Sequence, residues 1–127
     1  MLLVVVDDLI FLSKIQQVAD VSKIPVALAT PADVVERIGA GPPTAILIDL
    51  NRRSGLAVEL IRNIKSAPRL RHIPIVGYIS HVQVELAAAA RAAGCDMVLA
   101  RSALAKQLPQ LLLGLSRGEL RVAPSVA

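Results

Sequence analysis

Three carboxylates in this sequence stand directly after apolar runs. Asp7 and Asp8 follow the run LLVVV near the start of the chain, and Asp49 follows the run AILI. A charged side chain is rarely left at the end of a buried strand unless it has partners or a chemical task. If the three carboxylates meet, their like charges repel strongly unless a cation joins them. Oxygen-rich sites of this kind suit Mg²⁺ or Mn²⁺, and a metal-bound carboxylate can act as a nucleophile toward a phosphoryl group.

The elements that would position these carboxylates follow from the pattern of apolar residues. We predict strands over residues 2–6, 24–29, 45–50, 73–78 and 97–100. Helical patterns separate them, most clearly where Ala57, Leu60, Ile61 and Ile64 fall at i, i+3, i+4 and i+7. Because parallel neighbouring strands need crossover connections, this alternation predicts an α/β fold with a doubly wound, five-stranded parallel sheet and helices on both faces.

The common strand order for such a flavodoxin-like (βα)5 sheet is 2-1-3-4-5, which makes strands 1 and 3 neighbours. Ligands of these sheets bind beyond the carboxyl ends of the strands, where the strand order reverses. In that order Asp7, Asp8 and Asp49 end neighbouring strands. The sequence therefore predicts that the three carboxylates share one crevice.

Capping residues, proline and glycine mark several helix ends. The segment from Thr30 to Asp33 predicts a helix start, with Thr30 as the N-cap, Pro31 at the first helical position and Asp33 as the capping-box acid. An alanine-rich helix is predicted over residues 82–93 and should end at Gly94.

The C-terminal part of the chain carries a last leucine-rich helix. Pro109 interrupts it, so we expect a kink or a restart of the helix at that residue. No periodicity follows residue 115. We therefore predict one domain over residues 1–115 and a mobile tail over residues 116–127.

Composition narrows the classes of function. A net charge of +4 and a pI near 9.8 invite a nucleic-acid interpretation, but aromatics make up only 2% of the chain. No aromatic side chain is interleaved among the basic residues, so we interpret these residues as a solvated face and expect no nucleic-acid partner. No apolar run reaches the roughly 18 residues that a membrane span needs. The single cysteine, Cys95, excludes an internal disulfide and fits a reducing, cytoplasmic setting, and we expect it to serve packing and not reactivity.

In its motifs the chain resembles the receiver domains of two-component response regulators, over roughly residues 1–115. The resemblance rests on the segments VVVDD, ILID, IPIVGYISH and GCDMVLARS, in this order and spacing. It implies that Asp49 is the phosphoacceptor and that Asp7 and Asp8 bind the metal ion together with it. It also implies that the backbone carbonyl of Asn51 is a further ligand and that the cofactor is Mg²⁺.

The chain departs from the family's pattern at the residues that respond to phosphorylation. Ile79 stands where the family has a Thr or Ser that contacts the phosphoryl group, with Ser80 next to it as a candidate replacement. Arg101 stands where the family has a lysine, and this exchange is not conservative because the planar guanidinium differs in size and geometry. Val98 occupies the aromatic switch position. The chain is therefore expected to be an atypical receiver or a pseudo-receiver.

Two functions are the main hypotheses. The first is a stand-alone receiver, not an enzyme, that a histidine kinase or phosphotransfer protein phosphorylates on Asp49. Its output would pass through a downstream protein target, or through a homodimer formed by helix 4, strand 5 and helix 5, because the chain ends soon after the receiver-like part unless it is one piece of a longer protein. The second is a pseudo-receiver that acts as a phosphorylation-independent interaction or dimerisation module.

Further alternatives are weaker. A small phosphohydrolase-like enzyme would need a general acid, and none is evident in the sequence. A basic nucleic-acid binder would show a steep salt dependence of binding. Purely structural roles also remain open for the carboxylates, since Asp49 could cap the following turn or pair with Arg101, and Asp7 or Asp8 could N-cap the first helix.

Overall fold

The computed structural model of the protein describes residues 1–51, 56–80 and 83–120. Its five strands are β1 (Leu2–Val5), β2 (Val26–Leu28), β3 (Ala45–Asp49), β4 (Ile75–Ile79) and β5 (Met97–Ala100). The helices of these residues are α1 (Leu9–Val21), α2 (Val34–Ala40), α3 (Leu56–Ser66), α4 (Val84–Ala93), α5 (Arg101–Lys106) and α6 (Leu108–Ser116). Within this described part of the chain, every helix is too short or too polar to span a bilayer.

All five strands are parallel and form one sheet in the order β2-β1-β3-β4-β5. The predicted fold class and strand order are thus confirmed. β3 lies between β1 and β4, where Val5 pairs with Ile48 and Asp49 pairs with Tyr78. Asp49 therefore ends the central strand of the sheet.

The core consists of two apolar layers, one on each face of the sheet. Since successive side chains of a strand point to opposite faces, alternate residues of each strand enter different layers. The layer beneath α2, α3 and α4 takes the strand residues Leu3, Val5, Ile46, Ile48, Ile75, Ile79 and Val98. The layer beneath α1, α5 and α6 takes the strand residues Leu2, Val4, Ala45, Leu47, Val76, Tyr78 and Leu99.

The bounds of β5 agree with the prediction, and those of the other strands differ from it by at most two residues at either end. β2 has three residues where six were predicted, because only Val26–Leu28 continue the ladder with β1. β4 begins at Ile75 and not at residue 73, since the preceding Pro74 has no N–H to donate to a ladder. Periodicity locates a strand, whereas its hydrogen-bonding partner decides where the ladder ends.

The predicted helix start at Thr30 is only partly correct. Regular helix begins at Val34, and the capping interaction is formed in one direction, with the Thr30 N–H donating to Asp33 Oδ1 at 2.6 Å.

The predicted end of the alanine-rich helix is confirmed. Gly94 follows α4 directly, and its φ of 109° is the left-handed conformation expected there. The predicted start of this helix at residue 82 lies outside the described residues.

The last predicted helix is interrupted and restarts near Pro109. A restart and a kink were the two outcomes predicted from the sequence. α5 ends at Lys106 and α6 begins at Leu108, with the proline in the first turn of α6, where its missing N–H leaves no helical bond unmade. α6 continues to Ser116, and the Glu119 N–H donates back to the Gly114 carbonyl at 2.8 Å. The helix thus runs one residue beyond the predicted domain end at 115, while residues 121–127 of the predicted tail lie outside the described residues.

Candidate functional site

Asp49 is the one buried charged side chain in the described part of the chain, with 7% of its surface exposed. Its Oδ1 accepts hydrogen bonds from the backbone N–H of Asn51 at 2.8 Å and from Asn51 Nδ2 at 2.9 Å. The predicted capping of the following turn is therefore confirmed. Two donors from one residue fix the orientation of the carboxylate at the carboxyl end of β3.

Asp8 follows the neighbouring strand β1 and caps α1. Its Oδ1 accepts hydrogen bonds from the N–H groups of Ile10 at 3.0 Å and Phe11 at 3.1 Å. Of the two candidates for this cap, Asp8 has the role, and Asp7 is exposed beside it. Because β1 and β3 are paired, these carboxylates and Asp49 lie at the same edge of the sheet.

The three carboxylates are not assembled as a ready-made metal site. Among residues 1–51, 56–80 and 83–120, no three His, Cys, Asp or Glu side chains are grouped closely enough to hold a metal ion. The donors at this edge are nevertheless all oxygens, which is the donor chemistry that Mg²⁺ prefers. The assignment of Asp7, Asp8, Asp49 and the Asn51 carbonyl as ligands stays a prediction.

Arg101, the first residue of α5, pairs with Asp8 and not with Asp49. One of its guanidinium nitrogens, Nη2, contacts Asp8 Oδ2, and the guanidinium carbon lies 5.1 Å from the centroid of the Phe11 ring. The alternative of an Asp49–Arg101 pair is therefore wrong. The long arginine side chain reaches the start of α1, where the Asp8 carboxylate and the face of an aromatic ring both attract a cation.

At the end of β4, Ile79 has no hydroxyl group that could contact a phosphoryl group, and the adjacent Ser80 differs from it in burial. Ile79 is fully buried in the layer beneath α3 and α4, on the face of the sheet opposite Tyr78. Ser80 is exposed, and its backbone N–H donates to Asn51 Oδ1 at 3.2 Å. The structure thus links Ser80 to Asp49 through Asn51, while a role for the Ser80 hydroxyl stays a prediction.

Tyr78 is the residue that the sequence analysis missed. It is paired with Asp49 across β3 and β4, is 1% exposed, and packs on Phe11 with ring centroids 5.1 Å apart. Burial, followed by the charge of Asp49, raises the pKa of the Tyr78 phenol well above its ordinary value. The Asp49 carboxylate also acts on the hydroxyl as a nearby acceptor, although among the described residues the hydroxyl forms no hydrogen bond of full geometry.

A signal for Tyr78 was present in the sequence. The two-residue period of a strand places it on the opposite face from Ile79, and it is the only tyrosine of the chain. Recognising its place beside Asp49 also needs the register of β3 against β4, which the sequence alone does not give.

Close packing holds the end of β3 against β4. A Cβ atom on Gly77 would lie 2.7 Å from Leu50 Cδ1, so only glycine leaves room for the side chain that follows Asp49. Leu50 is 1% exposed, and its N–H donates to the Tyr78 carbonyl at 3.0 Å. This packing restricts the backbone on either side of the candidate phosphoacceptor.

A cavity of about 290 Å³ opens beside this site, between the starts of α1 and α5. Its lining combines two cationic side chains with hydroxyl and apolar groups: Ile10, Phe11, Lys14, Ser80, Arg101, Ser102 and Ala105. Leu9 and Ile10 at the start of α1 are 77% and 76% exposed. These two neighbouring side chains form an exposed apolar surface next to the cavity.

Comparison with known proteins gives a consistent answer for the fold. No protein-family model and no curated protein sequence matches the chain. The signal receiver domain of a signal transduction histidine kinase from Syntrophus aciditrophicus superposes with a TM-score of 0.78 at 17% identity, covering 99% of this chain and 96% of that one. The Mn²⁺-bound form of response regulator Rcp1 has a TM-score of 0.72 at 22% identity, covering 99% and 98% of the two chains.

A third similar structure is that of the phosphorylated cyanobacterial phytochrome response regulator RcpA. Its TM-score is 0.73 at 23% identity, and the match covers 96% of this chain and 94% of that one. The chain has the receiver-domain fold. The predicted resemblance to receiver domains is thus confirmed at the level of the fold. In this fold, Asp49 lies at the carboxyl end of β3.

Proposed function

We propose that this chain is a response-regulator receiver domain of two-component signalling, with Asp49 as the phosphoacceptor. The observation that supports it is a buried, oriented carboxylate at the end of the central strand of a receiver-domain fold. Burying an ionised carboxylate is costly unless it is hydrogen-bonded, paired or bound to a metal ion. Asn51 supplies hydrogen bonds to one oxygen, and the chemical role of the carboxylate would be to accept a phosphoryl group.

The donor set at the site fits Mg²⁺ as the cofactor. Asp7, Asp8 and Asp49 provide carboxylate oxygens and Asn51 a carbonyl oxygen, and such a cation would offset the charge of an incoming phosphoryl group. Asp8 is already bonded, since its Oδ2 contacts Arg101. The chain's own guanidinium therefore competes with a metal ion for this carboxylate.

The phosphodonor would be a histidine kinase or a phosphotransfer protein that docks at the start of α1. The exposed side chains of Leu9 and Ile10 flank the cavity beside Asp49, and Lys14 and Arg101 give its lining a positive charge. This arrangement suits a partner that brings an apolar contact and a phosphorylated side chain together. The output would pass to a downstream protein, or to a second copy through the face formed by α4, β5 and the last predicted helix, which corresponds to α5 and α6.

The pseudo-receiver is the second candidate, and the Arg101–Asp8 pair favours it. A cation supplied by the chain itself can hold the Asp8 carboxylate in one state without metal or phosphate. The buried Ile79 also lacks the hydroxyl that would respond to a phosphoryl group. In this case the domain would act as a constitutive interaction module.

A titration with Mg²⁺ and then beryllofluoride, followed by backbone amide NMR, separates the two candidates. A receiver should show shifts at Asp7, Asp8 and Asp49, and the beryllofluoride shifts should vanish in Asp49→Asn. Additional shifts along α4 would indicate a working switch. The absence of any shift in the native protein would refute the phosphoacceptor role and leave the pseudo-receiver.

A further inference from the structure

The hydroxyl of Tyr78 is a buried polar group whose position no formed hydrogen bond explains. The side chain is 1% exposed and is the only tyrosine of the chain. Its hydroxyl lies beside the Asp49 carboxylate, which acts on it as a nearby acceptor, but among the described residues no hydrogen bond of full geometry is formed. Buried phenols normally form such a bond, because leaving the group unpaired costs the full penalty of desolvation.

This hydroxyl lies at the candidate phosphoacceptor. Tyr78 pairs with Asp49 in the register of β4 on β3, and both side chains follow the alternation that places them on the α1 face of the sheet. The Asp49 carboxylate acts on the phenol both as a charge and as a nearby acceptor, and Asp8 and Arg101 act on it as charges. Packing against Phe11 holds the ring in this position.

Several other donors at the site are already engaged. The Asn51 N–H and side-chain amide donate to Asp49, and the Ser80 N–H donates to Asn51. Arg101 is paired with Asp8. A phosphoryl group on Asp49 would add three strong acceptor oxygens beside an O–H donor that has no other partner.

We propose that the Tyr78 hydroxyl donates a hydrogen bond to the phosphoryl group on Asp49 and so takes the place of the donor that Ile79 cannot supply. This inference rests on the proposed function, since it needs Asp49 to carry a phosphoryl group. Tyr78 acts as a binding and positioning residue, and it transfers no proton. A phenol is protonated throughout the neutral pH range, so the hydroxyl is able to donate.

The test compares the native protein with Tyr78→Phe, which removes the oxygen and keeps the ring that packs on Phe11. Affinity for beryllofluoride is measured at saturating Mg²⁺ by calorimetry, with Mg²⁺ affinity and the thermal midpoint measured alongside. We expect beryllofluoride to bind about tenfold more weakly to Tyr78→Phe, because a hydrogen bond to a charged acceptor is lost. The affinity for Mg²⁺ should not change. A general loss of structure would weaken the binding of Mg²⁺ as well, so this measurement separates the two causes.

Ser80→Ala discriminates between the two candidate hydroxyls. If this variant loses the affinity and Tyr78→Phe keeps it, the proposal is overturned in favour of Ser80. Equal binding by Tyr78→Phe and the native protein also overturns it, while the proposed function survives. Failure of the native protein to bind beryllofluoride overturns both.

A second measurement needs no variant. The single tyrosine gives one ¹³Cζ resonance, which reports on the hydrogen bond that its hydroxyl donates. We expect this resonance to shift when beryllofluoride binds in the presence of Mg²⁺, and not in Asp49→Asn. A resonance that stays in place while the Asp49 amide shifts would refute the proposal even if Tyr78→Phe did not fold.

Discussion

Replacement of Arg101 by methionine tests how the chain's own cation controls the carboxylates. The change removes the guanidinium that contacts Asp8 Oδ2 and lies over the Phe11 ring. It keeps an unbranched apolar side chain of similar length, so the packing of the stem is largely preserved. The two affected quantities are the free energy of unfolding and the affinity for Mg²⁺.

The loss of stability should be small. The side chains of Arg101 and Asp8 are 36% and 29% exposed, so solvent screens the pair and its contribution is about 1 kcal/mol at most. The contact between the guanidinium and the Phe11 ring adds about 0.5–1 kcal/mol. We therefore expect the free energy of unfolding to fall by about 0.5–2 kcal/mol.

The gain in metal affinity should be of similar size. If a divalent cation bound to Asp8 lay about 5 Å from the guanidinium, the unit charge of Arg101 would oppose its binding by about 1.7 kcal/mol at the dielectric constant of water. Its removal should tighten the binding of Mg²⁺ about tenfold or somewhat more. Arg101→Lys keeps the charge, and we expect it to bind Mg²⁺ nearly as weakly as the native protein.

Calorimetric or NMR titration with Mg²⁺ at constant ionic strength measures these affinities. Lys106→Met is the matched control, since it removes one positive charge from the other end of α5. Its Mg²⁺ affinity should stay close to that of the native protein. If Arg101→Met binds Mg²⁺ no more tightly than the native chain, Arg101 does not compete with a cation for Asp8 and this reasoning fails.

Three further predictions concern the packing, the cysteine and the docking surface. Gly77→Val should lower the free energy of unfolding by about 1–3 kcal/mol through its collision with Leu50, and combining it with Leu50→Ala should recover part of the loss in urea denaturation. Burial raises the pKa of Cys95 to about 11, so iodoacetamide should modify the native thiol at pH 8 far more slowly than the unfolded one. The unfolded thiol ionises at a lower pH than the buried one, so the free energy of unfolding should decrease as the pH rises from about 9 to 11. Ile10→Glu should slow phosphorylation by a protein donor but not by acetyl phosphate, and equal slowing of both reactions would contradict a docking role for this exposed side chain.

The fold could be predicted because its signals are local. Apolar runs of four to six residues, helical spacing between them, and Gly94 and Pro109 at helix ends each follow from backbone and packing preferences that act over a few residues. The parallel sheet then follows from the need for crossover connections. The position of Asp49 at the end of the central strand followed from the same reasoning.

The partners within the site could not be predicted in this way. Arg101 has a long side chain with many rotamers, and its choice of Asp8 over Asp49 depends on the fixed helix cap and the nearby Phe11 ring. The neighbour of Asp49 on β4 depends on the strand register, which brings Tyr78 to it. Both are properties of the folded sheet and not of any short stretch of sequence.

The central claim is that Asp49 accepts a phosphoryl group, and intact mass spectrometry tests it most directly. The protein is incubated with acetyl phosphate and Mg²⁺, beside Asp49→Asn treated in the same way. We expect the native chain to gain the mass of one phosphoryl group, to lose it on treatment with hydroxylamine, and the variant to gain none. A native chain that stays unmodified, or a variant that gains the same mass, would contradict the assignment of Asp49.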